Sequence, residues 1–385
     1  MNIGDILEVE ITAIAHGGHC IARHDGRVIF VRHTIPGEKV RIEITDVTSK
    51  FARADAIEVL IASADRIAPR CEYAHPKGCG GCDFQHVSHA RQRSLKSEIV
   101  QEQFKRIAKM DLKVEVEEVL PIEHWRTRVA FSVTQDRLAA FHSSRSDNLI
   151  TISNCQISDK AIDIAAINRL RLPSKGRVNA VADQSGAMEV IVEGRESRAL
   201  ISYEVLGRKH LVDPASFWQS HIKAPELLAG IVRDWCQARP GDHIFDLYGG
   251  VGLFTGALLD QVGNTGRITL IESDARAITD ARRNFASDSI VEIVESQVER
   301  AISKYARADI VVVDPPRAGV GSKTLQTILA LQPRTLVYVS CDPATLARDT
   351  RVALDNGYRL DQIRALDLFP MTHHIECVAR FMRNN

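Results

Sequence analysis

The chain has 385 residues, 45% of them apolar and 25% charged, with 49 Lys and Arg against 49 Asp and Glu. That length implies two or three domains, and that balance fits a soluble globular protein rather than a disordered or fibrous one. Zero net charge and a pI near 7.2 count against a broadly cationic nucleic-acid binder, so any such contact must rest on local charge.

The opening residues MNIGDILEVE lack a basic stretch followed by an apolar run, so no signal peptide is expected, and no apolar run is long enough to span a membrane. A cytoplasmic location follows, with reduced thiols. The eight cysteines then point to metal binding or catalysis rather than disulfides.

Residues 1–62 read as short strands. ILEVEITAI, RVIFVRH, GEKVRIEITDV and ADAIEVL alternate apolar with polar residues and are separated by turns such as His16-Gly17-Gly18. Strands at this spacing predict a small OB-like β-barrel. Residues 63–210 form a central α+β region. It opens on Cys71, Cys79 and Cys82, spaced C-x7-C-x2-C, with Cys155 downstream. A helical run follows from about His89 to Lys109, then strand-like RVAFSVT, LAAFHS, AMEVIVEG and RALISYEVL. Between Asp65 and Lys109 nine basic residues outnumber five acidic ones, a pattern that suits either a basic stripe or a solvated helix face. The four cysteines could hold zinc or a [4Fe–4S] cluster, and spacing alone favours zinc.

Residues 211–385 alternate strand and helix. HIFDLY, RITLIES, VEIVES, ADIVVVD and RTLVYVS are Val- and Ile-rich strands between helices, which predicts a parallel, doubly wound, Rossmann-like sheet. Gly249-Gly250-Val251-Gly252 follows the first strand, and Glu272 ends the second, placed to accept hydrogen bonds from ribose hydroxyls. A full G-x-G-x-x-G is absent, because residue 255 is Thr.

Three further segments fall at strand ends: Asp314-Pro315-Pro316-Arg317, Ser340-Cys341-Asp342-Pro343, and Phe369 to Glu376. Together they hold the groups needed to methylate C5 of a uracil. A thiolate adding to C6 makes the ring an enolate, C5 attacks an electrophilic methyl, and a base removes the C5 proton so that the thiol can leave. Cys341 and Glu376 can supply thiol and base. Pro343 suits a first helical position, so a helix N-terminus should favour the Cys341 thiolate while Asp342 opposes it.

FDLYGGVGLF, VVVDPPRAGV, YVSCDPATLARD and FPMTHHIEC are similar to signature blocks of the RNA uracil-5 methyltransferase family. The resemblance runs the length of the chain, with an N-terminal TRAM-like barrel and a central region like that family's iron–sulfur branch. It implies an S-adenosylmethionine-dependent methyltransferase, with Cys341 as nucleophile and Glu376 as proton acceptor. Gln219, Tyr248, Glu272 and Asp314 would line the S-adenosylmethionine site, and Cys71, Cys79, Cys82 and Cys155 would hold a [4Fe–4S] cluster. The substrate would be a uridine in structured RNA, ribosomal RNA ahead of transfer RNA, and the protein a monomer with no obligate protein partner. The chain departs from the family at His221, which stands for Asn in the Phe-x-Gln-x-Asn motif, at Gly249 and at Leu253. A non-catalytic RNA-binding protein on a decayed methyltransferase fold is the alternative, and the retained Cys341, Glu376 and Glu272 argue against it. Cytosine-5 methylation would call for a second cysteine in the Pro-Pro motif, where Arg317 stands.

Overall fold

The structure, a computed structural model, describes residues 1–194 and 199–384. Strands β1 (Ile6–Glu10), β2 (Ala13–Ile14), β3 (Cys20–His24), β4 (Arg27–Arg32), β5 (Lys39–Val47) and β6 (Phe51–Ile61) form one sheet in the order β1-β5-β6-β4-β3-β2. Strict alternation divides its faces: Ile29, Val31, Ala52, Ala54 and Ala56 pack inside, while Phe30, Arg32, Phe51 and Arg53 look outward. The sheet curls until β1 meets β3. The long strand expected over ILEVEITAI breaks at Ile11 and Thr12, whose N–H groups turn to the carbonyls of Glu38 and Ile21. Strand β3 carries little signal of its own in the sequence, because Cys20 follows directly on the His-Gly-Gly-His turn.

The central region holds α1 (His89–Gln103), which widens into a π turn over Phe104–Ala108, and then β7 (Val116–Glu118). Strands β8 (Arg128–Val133), β9 (Ala139–His142), β10 (Leu149–Thr151), β11 (Arg177–Ala182) and β12 (Met188–Val192) make an antiparallel sheet in the order β10-β9-β8-β11-β12, with α2 (Ile164–Arg169) inserted. A hairpin of β13 (Ile201–Val205) and β14 (Arg208–Val212) follows. The strand expected over RALISYEVL begins at Arg198, which lies outside the described residues; β13 starts at Ile201.

The basic stretch does not form an open cationic face. Arg66, Arg70, Lys77, Arg91, Arg93, Lys96 and Arg106 each stand in an ion pair, with Glu38, Glu123, Glu43, Glu98, Glu118, Asp367 and Glu102 respectively. Lys96 is fully buried and its Nζ lies 2.6 Å from Asp367.

The remainder is one large sheet. After α3 (Ala224–Cys236) come β15 (His243–Leu247), α4 (Leu253–Val262), β16 (Arg267–Glu272), α5 (Ala275–Asn284), β17 (Val291–Glu295), α6 (Val298–Ala301) and β18 (Ile310–Val313). Then come α7 (Ser322–Ala330), β19 (Thr335–Ser340), α8 (Pro343–Asp355), β20 (Tyr358–Asp367) and β21 (Glu376–Arg383). The sheet order is β17-β16-β15-β18-β19-β21-β20-β7. The strands from β17 to β19 are parallel, and β21 runs antiparallel to both its neighbours. All residues of β18 and β19 are buried because helices cover both faces. Ile244, Leu270, Val312 and Val337 pack toward α3, α4 and α5, while their strand neighbours Phe245, Ile271, Val313 and Tyr338 pack toward α1, α6, α7 and α8. Strand order reverses between β16 and β18 around β15, the crevice where ligands bind in such sheets. Among the described residues no helix is long and apolar enough to cross a membrane.

Candidate active site

The turn from β15 to α4 is shaped for close approach. Gly252 has φ +94° and lies against Phe285, where a Cβ would come within 2.1 Å of the ring. At Gly249 a Cβ would come within 2.7 Å of Leu270, so this packing excludes a larger residue there. The Glu272 carboxylate accepts hydrogen bonds from Gly250 N–H at 3.1 Å and Asp274 N–H at 2.7 Å, which ties the end of β16 to the turn. Tyr248, at φ +60°, donates to Glu299 at 3.3 Å. Gln219 reaches Asp314 at the end of β18, Nε2 to Oδ2 3.3 Å. Trp218 orients it by stacking on Tyr203 at 4.6 Å while Phe217 stays outside. The structure thus gathers Gln219, Tyr248, Glu272 and Asp314 on one sheet edge.

Asp246, near the carboxyl end of β15, belongs with them. One of its oxygens accepts from Thr255 N and Oγ1 at 2.9 and 2.7 Å. The other is buried with no hydrogen-bond partner among the described residues. Burial pushes Asp246 up to about 6, and burial with the nearby Asp246 charge pushes Asp314 up to about 7. Glu376 is 4% exposed, and burial followed by the charge of Asp314 raises it well above the usual carboxylate range. Three buried acids with raised values therefore line this edge.

The antiparallel ladder explains how Cys341 and Glu376 meet. Ser340 of β19 pairs with Cys377 of β21. This last pair of the ladder lies one residue from both groups, which brings Cys341 near enough to Glu376 for the carboxyl charge to act on the thiol. Asp342 caps α8, accepting from Ala344 and Thr345 N–H at 2.9 Å each, so Cys341 does precede a helix N-terminus. The balance between helix N-terminus and Asp342, open in the sequence, falls on the side of the protonated thiol. Burial, with the Glu376 and Asp314 charges next, pushes the Cys341 thiol up to about 11, and Arg317 offsets this only in part.

Residues 369–375, which deliver Glu376, are held from α1. Lys96 donates to the carbonyl of Phe369 at 3.0 Å as well as to Asp367. Gln92 accepts from Met371 N–H at 2.9 Å, and Asp83 bonds His373 Nδ1 at 2.6 Å. Nothing in the composition of α1 announced these contacts, because a buried Lys and Gln look like surface residues until their partners are placed. His221 is likewise a bracket. It is buried, stacks on Trp125 at 5.7 Å, accepts from Lys223 N–H at 3.0 Å and faces the Pro121 carbonyl at 3.2 Å. Burial pushes it down to about 4, so it sits there neutral. Leu253, the other departure, is buried at the start of α4.

Cys71, Cys79, Cys82 and Cys155 all line one cavity of about 230 Å³, beside Arg126. Arg126 Nε donates to the Arg128 carbonyl at 3.1 Å, and the guanidinium stands near Cys155, Cys82 and Cys79 with no carboxylate partner among the described residues. Burial pushes Cys79 up to about 11 and Cys82 higher still. Among the described residues no three His, Cys, Asp or Glu side chains close tightly enough to hold a single metal ion.

Comparison with known proteins agrees with this layout. A TRAM domain model matches residues 2–57, a methyltransferase small domain model residues 224–337, and a tRNA (uracil-5-)-methyltransferase model residues 296–384. A protein of Streptomyces coelicolor named as an uncharacterized RNA methyltransferase is 40% identical, over 98% of this chain and 93% of that protein. One of Bdellovibrio bacteriovorus with the same description is 32% identical, over 98% and 95%. The crystal structure of Pyrococcus abyssi tRNA (uracil-54, C5)-methyltransferase in complex with S-adenosyl-L-homocysteine shares the fold. Its TM-score is 0.75 at 22% identity, over 98% of this chain and 100% of that one.

Proposed function

Because the chain belongs to the RNA uracil-5 methyltransferase family, we propose that it methylates C5 of one uridine in structured RNA through Cys341 and Glu376. The observation that carries this reading is the β19–β21 ladder, whose last pair, Ser340 with Cys377, brings a thiol near a buried carboxyl, with Asp314 close to both. Bound S-adenosylmethionine would supply a methyl group made electrophilic by its sulfonium. Gln219, Tyr248, Glu272 and Asp314 would hold it, and the partnerless oxygen of Asp246 fits a positively charged ligand. Cys341 forms a bond from sulfur to C6 and makes C5 nucleophilic. Once C5 is methylated, Glu376 takes the C5 proton, the C5–C6 double bond re-forms, and the sulfur–C6 bond breaks so that Cys341 leaves as the thiolate. The target base has to leave its stack to be reached. The outward face of the N-terminal sheet suits RNA: Phe30 and Phe51 meet edge to face at 5.3 Å, and the Arg53 guanidinium lies over Phe51 at 4.7 Å.

Deleting the gene should remove 5-methyluridine from one position, in ribosomal RNA ahead of transfer RNA, and the wild-type gene should restore it. Unchanged 5-methyluridine maps of both RNAs would refute the reading.

The carboxyl row also predicts a pH effect. Below the raised values of Asp246 and Asp314 these groups are neutral, and a cation favours their ionised forms. Affinity for S-adenosylmethionine should therefore rise with pH between 5 and 8, by up to about tenfold per unit for each proton released. S-adenosylhomocysteine lacks the sulfonium charge and should respond less. Calorimetric titration of both ligands across this range checks it, and equal slopes would remove the electrostatic role of the row.

The four cysteines lining one cavity fit the [4Fe–4S] cluster that the family resemblance implies, with zinc as the alternative. Four thiolates around either group would leave net negative charge, which Arg126 would offset from inside the cavity.

A further inference from the structure

One turn of the N-terminal sheet touches both segments that carry the reacting groups. Residues 15–19 connect β2 to β3, closed by Ala15 N–H to the His19 carbonyl at 2.8 Å and Gly18 N–H to the Ala15 carbonyl at 3.1 Å. His16 Nε2 lies 3.1 Å from Asp342 Oδ2. Asp342 is therefore used twice, with Oδ1 on the first N–H groups of α8 and Oδ2 on His16. Ser340 Oγ donates to the Asp342 carbonyl at 3.0 Å, so the residues on both sides of Cys341 are tied to one another.

Two residues along the same turn, Gly18 at φ +79° lies on His373. A Cβ there would come within 2.5 Å of the His373 Cβ, so only glycine lets the turn close. His373 is fixed on its other side by Asp83 and stands three residues before Glu376. Ile14, just before the turn, packs onto the core beneath α8 and onto the small cluster of Ile35, Phe84, Val87 and Leu95. The turn thus has an apolar anchor and two contacts aimed at separate loops.

We propose that His16 is a positioning residue for Cys341: acting through Asp342, it fixes the turn after β19 so that the thiol stands where the target base arrives. The proposal rests on the reading of Cys341 as nucleophile. The His16–Asp342 contact is part-exposed, with side chains 38% and 22% accessible, so its share of global stability is small. Its effect lies in geometry, where a displacement of an ångström is costly to a bond-forming step.

The test separates placement from folding and from RNA affinity. His16→Ala should lower kcat for RNA methylation about tenfold, with KM for RNA within about twofold and an unchanged Tm. His16→Gln carries an amide donor near the place of Nε2 and should recover most of the loss. Gly18→Ala, which forces the turn off His373, should lower kcat as His16→Ala does. In a Glu376→Gln background, His16→Ala should slow formation of the covalent RNA adduct by a similar factor. If Glu376→Gln alone forms the adduct and His16→Ala leaves its rate unchanged, the positioning role is wrong and the nucleophile reading stands. If His16→Ala raises only KM, or if Gln fails to rescue, the turn serves RNA binding or folding and the proposal falls. If Glu376→Gln alone forms no adduct, both fall together.

Discussion

Cys341→Ala is expected to abolish methylation together with all covalent attachment to RNA, whereas Glu376→Gln should trap a protein–RNA adduct. Without the thiol no bond to C6 forms, C5 stays a poor nucleophile, and turnover falls by roughly 10⁴- to 10⁶-fold, the scale seen when a covalent nucleophile is removed. Glu376→Gln keeps the size and the buried site of the side chain but cannot accept a proton. Addition and methyl transfer need no removal of the C5 proton, so both proceed. Elimination then slows by about 10²- to 10⁴-fold, leaving a methylated base attached through Cys341. A denaturing gel with labelled RNA separates the two variants. Normal turnover by Glu376→Gln would move the base to Asp314, which is also buried and raised. Activity in Cys341→Ala would end the covalent mechanism. The raised thiol of the resting site adds a condition: single-turnover adduct formation by the wild-type protein should speed up as pH rises through neutrality toward about 11, because the thiolate fraction grows.

The parallel sheet could be read from the sequence because buried strands such as IVVV and TLVYVS carry their own signal, an unbroken apolar run between helices. The strand-end positions of Asp314 and Cys341 followed from that alone. Partners set by distant residues could not be read. Lys96 and Gln92 looked like members of a basic, solvated helix, yet they hold residues 369–375 through contacts spanning more than 270 positions. The ionisation of Cys341 could not be settled from its helix N-terminus, because the opposing carboxyls come from β18 and β21, and burial outweighs the helix. The His16-Gly17-Gly18 segment was legible as a turn, but not as the place where the first sheet touches the loop after β19.

The protein purified without air should be brown, with about four irons per chain, and Cys79→Ser or Cys82→Ser should strip both colour and iron. The resemblance to the family's iron–sulfur branch carries this expectation, and the four cysteines lining one cavity of about 230 Å³ fit it. Burial leaves the Cys71, Cys79 and Cys82 thiols resistant to ionisation on their own, so a bound cationic centre is what would make them thiolates, and Arg126 would then balance part of the charge. Loss of the centre should reach the active site by a short route. Cys82 and Cys155 pack with Trp125, Ile157 and Met371, and the N–H groups of Asp83 and Phe84 both donate to the Met371 carbonyl at 2.9 Å. Met371 lies in the segment that delivers Glu376, so iron-free variants should show faster proteolysis between residues 369 and 375 and weaker methylation. Metal analysis of the anaerobic wild-type protein decides the point: one zinc and no iron would sink the cluster, leaving the roles of Cys341 and Glu376 to be judged on the adduct alone.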